Sequence, residues 1–138
     1  MSYYHESDLI KLKNCPPDNY TSKKLECYRW VFSDINNERN FQSQAVKNPK
    51  ALNDKSDLEK CEYFALSFHE DYTLNKNHYE MLKKRFKNIS KNIGTHLAKG
   101  ILDEMDGIGS QVDANSHFNF HFTKNRNFSD KFEIIEAL

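Results

Sequence analysis

Glycine is scarce in this chain, four residues in 138, and proline scarcer still at three. Such a composition excludes collagen-like repeats and Pro/Gly-rich linkers. The three cysteines, Cys15, Cys27 and Cys61, form no C-x-x-C unit and are odd in number. No disulfide framework is therefore expected, and reduced thiols are the predicted state. Excess charge of either sign is also missing, since twenty Lys and Arg balance twenty Asp and Glu. That balance excludes a surface built throughout to meet nucleic acid or anionic membrane. No apolar run approaches the roughly 18 residues of a membrane span. The stretch Met1–Asp8 lacks the apolar segment of a signal peptide, so a cytoplasmic protein is expected.

What the chain does have is aromatic side chains. They make up 13% of it, enough to build one core on Phe and Tyr. The most regular pattern is His117-Phe118-Asn119-Phe120-His121-Phe122, a strict polar/aromatic alternation. Along a strand, successive side chains point to opposite faces. Phe118, Phe120 and Phe122 are thus predicted to be buried, and His117, Asn119 and His121 to line a solvated surface or a cleft wall.

Other strands are read over Cys27–Phe32, Glu62–Phe68, Thr95–Leu102, Ser116–Phe122 and Lys131–Ile135. The first places Tyr28, Trp30 and Phe32 opposite Cys27, Arg29 and Val31, so that Arg29 faces away from the large aromatics. Between Thr73 and Lys91, Tyr79, Leu82, Phe86 and Ile89 recur every three or four residues and predict one long amphipathic helix. Residues 1–24 read as an irregular arm, 33–60 as a long surface excursion, and Asp103–Gly107 as a solvated acidic turn. The fold expected is a single α+β domain with a twisted, mainly antiparallel sheet of about five or more strands.

The chemistry is weighed on the same residues. His117 and His121, four apart on a strand, stand about 13 Å from each other, too far to share one metal ion, and no metal is expected. A Ser-His pair made from Ser67 with His117 or His121 is open if their strands are neighbours, but the sequence points to no orienting acid and no oxyanion hole. The helix carries Lys83, Lys84, Arg85 and Lys87, which either solvate its outer face or grip phosphates.

The order Tyr28-Arg29, then Leu66-Ser67-Phe68 ahead of a helix, then a late polar-faced strand resembles the R-S-E layout of ADP-ribosyltransferases. That resemblance implies an NAD-directed pocket with Arg29 on the phosphates and Ser67 at the nicotinamide ribose, in a protein of toxin or defence type. Where the family carries a Gln-x-Glu or Glu-x-Glu pair, this chain has Ser116–His121. The segments Tyr28–Phe32, Phe64–Phe68 and Ser116–Phe118 also resemble those of small uncharacterised bacterial proteins, which brings no activity with it.

Three functions follow as expectations. The first is a nucleotide pocket with catalytic candidates His117, His121 and Ser67 and ligand-binding candidates Arg29, Ser67 and Asn119, with NAD as the cofactor the resemblance implies. The second is a non-catalytic module that meets a protein partner. The third is a nucleic-acid binder using the basic helix.

Overall fold

The computed structural model describes residues 2–138. In chain order its elements are α1 (Glu6–Leu9), β1 (Thr21–Ser22), β2 (Leu25–Val31), α2 (Gln44–Lys47), α3 (Asp57–Phe64), β3 (Leu66–His69), α4 (Tyr72–Arg85), α5 (Ser90–Ile93), β4 (His96–Leu102), β5 (Gly107–Gly109), β6 (His117–Phe122) and β7 (Phe132–Ala137). Three short 3-10 helices lie among them. The strands form one sheet in the order β1-β5-β6-β3-β2-β4-β7, and every pairing is antiparallel. This is a mixed α+β fold, and among the described residues no helix is long and apolar enough to cross a membrane.

The alternation on β6 sets the two faces of the sheet. Phe118 and Phe120 are fully buried, and Phe122 nearly so. They join Leu66 and Phe68 of β3, Cys27 and Val31 of β2, Ala98 and Leu102 of β4, and Phe128 and Phe132. The Phe68 ring packs 5.7 Å from Phe118, 5.6 Å from Phe120 and 5.4 Å from Phe132, spacings at which aromatic edges and faces attract. Residues from the 33–43 segment, Ile35 and Phe41, close this layer from outside.

The opposite face is covered in part by α4. Asp71 caps that helix by accepting the Leu74 N–H at 2.8 Å. Its buried Tyr79 donates a hydroxyl hydrogen bond to the Gly94 carbonyl at 2.8 Å. Gly94 needs to be glycine, because its φ is +118° and a Cβ there would lie 2.5 Å from the Val31 carbonyl oxygen.

Several expectations are corrected. The predicted strand over Glu62–Phe68 is helical as far as Phe64, and only Leu66–His69 pairs in the sheet. Ser56 and Glu59 form a reciprocal capping box that starts α3, and this overrides the strand propensity of Tyr63-Phe64. The long helix stops at Arg85 rather than Lys91, because Phe86 turns extended at φ −122° and ψ 114°; Asn88 then adopts φ +66° and the chain restarts as α5. Phe86 is about half exposed, so its apolar stripe does not continue.

The acidic turn is solvated at Glu104 and Met105 but not at Asp106. Asp106 is fully buried, held by Lys131 Nζ at 2.6 and 2.8 Å and by the Asp103 N–H at 2.8 Å. The N-terminal arm is tied down too, by a bridge between Tyr3 and Thr123 and by a Cys15–Cys61 disulfide. Reduced thiols were expected because the two cysteines are 46 residues apart and the count is odd. Cys27 stays free and buried, its thiol pKa pushed up by that burial.

Candidate functional site

β3 and β6 are neighbours, with His69 opposite His117 and Ser67 opposite Asn119. All four side chains therefore leave the sheet on the face away from the aromatic core. On this face the Ser67 hydroxyl lies 2.9 Å from His117 Nε2. His117 Nδ1 lies 3.6 Å from Asp113 Oδ2. Asp113 is fixed at the entrance to β6, because its Oδ1 accepts the N–H groups of Asn115 at 2.8 Å and His117 at 3.0 Å.

These partners assign the tautomer. A carboxylate facing Nδ1 keeps the proton there, and the Nε2 lone pair is left to accept from Ser67. Burial holds His117 below the ordinary histidine range, against the opposing pull of Asp113. The ring is thus neutral at neutral pH and able to take a proton.

A second chain of polar groups stands beside it. Trp30 Nε1 donates to Asn75 Oδ1 at 2.7 Å, Asn75 Nδ2 donates to His69 Nδ1 at 3.0 Å, and His69 Nε2 is 2.9 Å from His78 Nδ1. Because Asn75 donates to Nδ1 of His69, the proton of that ring sits on Nε2 and points at His78. Burial, reinforced by His117 and His78, pushes His69 down to about 3.

Arg29 occupies an unexpected place. Its side chain leaves β2 with Cys27 and Val31, as the alternation predicts, but that face is the aromatic core. Its guanidinium lies 5.6 Å from the centre of Phe68 and 5.8 Å from that of Phe41. The reason it is tolerated there lies in the strands themselves. β2 and β3 pair only at Tyr28 and His69 and then part. Arg29 fills the split, donating Nε to the Asn40 carbonyl at 2.7 Å and Nη1 to the Ser67 carbonyl at 2.8 Å. It meets no carboxylate in these bonds, and burial lowers its pKa to about 10.

The split opens into a niche of about 90 Å³ lined by Arg29, Trp30, Gln42, Ser43, Gln44, Lys47, Ala65, Ser67, His69 and Ile93. An outer hollow of about 340 Å³, lined by Arg39, Asn48, Ile89 and Asn92, shares Gln44, Lys47 and Ile93 with it. Among the described residues, no Asp or Glu lines either space. Lys47 is pushed down to about 8, first by burial and then by the positive charges of Arg29 and Arg39. Three cations thus converge without a counter-ion, which makes the niche electropositive.

Of the sequence candidates, Arg29, Ser67 and His117 come together, linked through the Ser67 carbonyl and hydroxyl. Asn119 lies against the Tyr20 phenol. His121 is remote from the niche, buried beside Cys61 with Nε2 3.4 Å from the sulfur. Asp113, His69, His78, Lys47 and Arg39 were not anticipated. The Asp113-Ala114-Asn115 turn signal before β6 and the shared parity of Ser67 and His69 were the legible clues. Among the described residues, a larger hollow of about 520 Å³ lies elsewhere, between Ile35, Phe41, Phe122, Phe128 and Arg126. It contains neither the Ser67–His117 pair nor the cationic group.

Comparison of the chain with family models, curated proteins and solved structures finds no match in any of the three.

Proposed function

We propose that this protein is an enzyme that binds a phosphate-bearing small molecule in the niche between β2 and β3 and cleaves an ester bond of it with Ser67. The observation that carries the reading is that Ser67, hydrogen-bonded to His117 and through it facing Asp113, lines a niche that also holds Arg29 and Lys47, with Arg39 in the adjoining hollow and no carboxylate lining either space. A niche of 90 Å³ suits one anionic group, and the 340 Å³ hollow beyond it suits the rest of a nucleotide-sized ligand. NAD and ADP-ribose are the first ligands to try, with a toxin or defence role in a bacterial cytoplasm as the setting.

In the reaction, His117 Nε2 takes the Ser67 proton as Oγ forms a bond to the electrophilic centre of the ester. The leaving oxygen departs with that proton, and water then cleaves the Ser67 adduct by the same base. Asp113 steadies the imidazolium formed in each step. Lys47 and Arg29 stabilise the negative charge of the substrate.

Calorimetric titration with inorganic phosphate, ADP-ribose and NAD tests the binding step. Heat of binding that falls at least several-fold in Lys47→Met is the expected result. No heat and no thermal shift with any of the three at millimolar concentration overturns the reading and moves the protein-interaction module to first place.

A further inference from the structure

Toward the other end of β6, on the same sheet face as His117, Cys61 from the last turn of α3, Cys15 from the N-terminal arm and His121 meet. One donor atom from each, two sulfurs and a ring nitrogen, lie within 4.8 Å of one another. We infer that this cluster is a thiol-gated site for a zinc ion, closed when Cys15 and Cys61 are bridged and open when they are reduced.

The donors are those zinc takes, thiolate sulfur at about 2.3 Å and imidazole nitrogen at about 2.0 to 2.1 Å. A tetrahedral ion with such bonds sets sulfur and nitrogen about 3.6 Å apart. Cys61 Sγ and His121 Nε2 already stand at 3.4 Å. Only Cys15 has to move, and it belongs to the arm rather than to the sheet. The His121 ring is 1% exposed and stacks 5.8 Å from the Tyr20 ring, which fixes its plane. The fourth position remains for water, on the side of half-buried Cys15.

Opening takes two electrons and two protons from a dithiol, which itself becomes a disulfide as the Cys15–Cys61 bond breaks. Zinc then binds the two sulfurs as thiolates, releasing two protons to solvent. In a thiol-rich compartment the metal therefore replaces the covalent bond as the tie between the arm and α3. Cys15 and Cys61 tie the arm to α3 in both states, and His121 joins them when zinc is bound.

Cobalt(II) titration of the full-length protein reads the site directly, since thiolate ligation gives a near-ultraviolet charge-transfer band. Protein reduced with a dithiol and then freed of it should take up one cobalt per chain with that band, and zinc should bleach it. Protein kept oxidised should show none. Cys15→Ser, a change on the arm that spares the core, should weaken binding at least tenfold. Absence of the band in reduced protein, equal binding by oxidised protein, or unchanged binding by Cys15→Ser each overturns the inference.

Discussion

His69 makes the fold sensitive to acid, and the size of that sensitivity follows from its surroundings. Its ring is 2% exposed, accepts from Asn75 at Nδ1 and donates toward His78, an arrangement that requires it neutral. Its pKa is about 3 in the folded chain against an ordinary 6.5. A folded value below the unfolded one means the unfolded chain binds the proton first. The His69 contribution is therefore complete above pH 6.5 and is lost as the pH falls from 6.5 toward 3. The slope approaches about 1.4 kcal/mol per pH unit below pH 6, so about 2.7 kcal/mol disappears between pH 7.5 and 4.5. That is a large share of the 5 to 15 kcal/mol a domain of this size commands. Urea melts of the parent and of His69→Gln at pH 7.5, 6.5, 5.5 and 4.5 measure it. The two stability curves should converge by about 2.7 kcal/mol over the acid range as the parent loses its advantage. Parallel curves would refute a neutral buried His69.

Other substitutions probe the faces and the buried charges. Phe120→Ala should cost about 3 to 5 kcal/mol in urea melts, because a fully buried ring is removed from the centre of the aromatic layer, while Asn119→Ala on the opposite face should leave stability near that of the parent. Asp106→Ala should cost about 1 to 3 kcal/mol, because the Asp103 N–H loses its buried acceptor while Lys131 keeps Asp103 at 2.8 Å, and a double-mutant cycle with Lys131→Met should show the two residues coupled. Arg29→Lys should lower stability by about 1 to 3 kcal/mol, since one ammonium cannot serve the Asn40 and Ser67 carbonyls as the guanidinium does. A melting temperature unchanged in Arg29→Lys would make Arg29 a ligand anchor alone.

The aromatic face was legible because its signal is local. A period of two over His117–Phe122 has one physical meaning, and the structure pairs those six residues as a strand. Strands β2, β4 and β7 were legible for the same reason, to within a few residues at their ends. The acidic turn misled at Asp106, because a carboxylate reads as surface until its partner is known. Lys131, which neutralises Asp106, is 25 residues away. The helix α3 was hidden by the competition between a capping box at Ser56 and the aromatic pair Tyr63-Phe64.

For the site, sequence could name Ser67, His117 and Arg29 but not join them. Ser67 and His117 are 50 residues apart and meet only because β3 lies between β2 and β6. Strand order is set by long-range packing, which no local pattern encodes. The same holds for Lys47, whose neighbours Arg29 and Arg39 reach it across a loop.

Reaction with a fluorophosphonate, which modifies a serine only when a base activates it, tests the proposed chemistry most directly. Mass spectrometry should find Ser67 as the modified residue in the parent protein and almost no modification in His117→Ala. Inorganic phosphate should slow the reaction in the parent and protect Lys47→Met far less. Labelling elsewhere than Ser67, or equal rates in parent and His117→Ala with no effect of phosphate, would contradict the account.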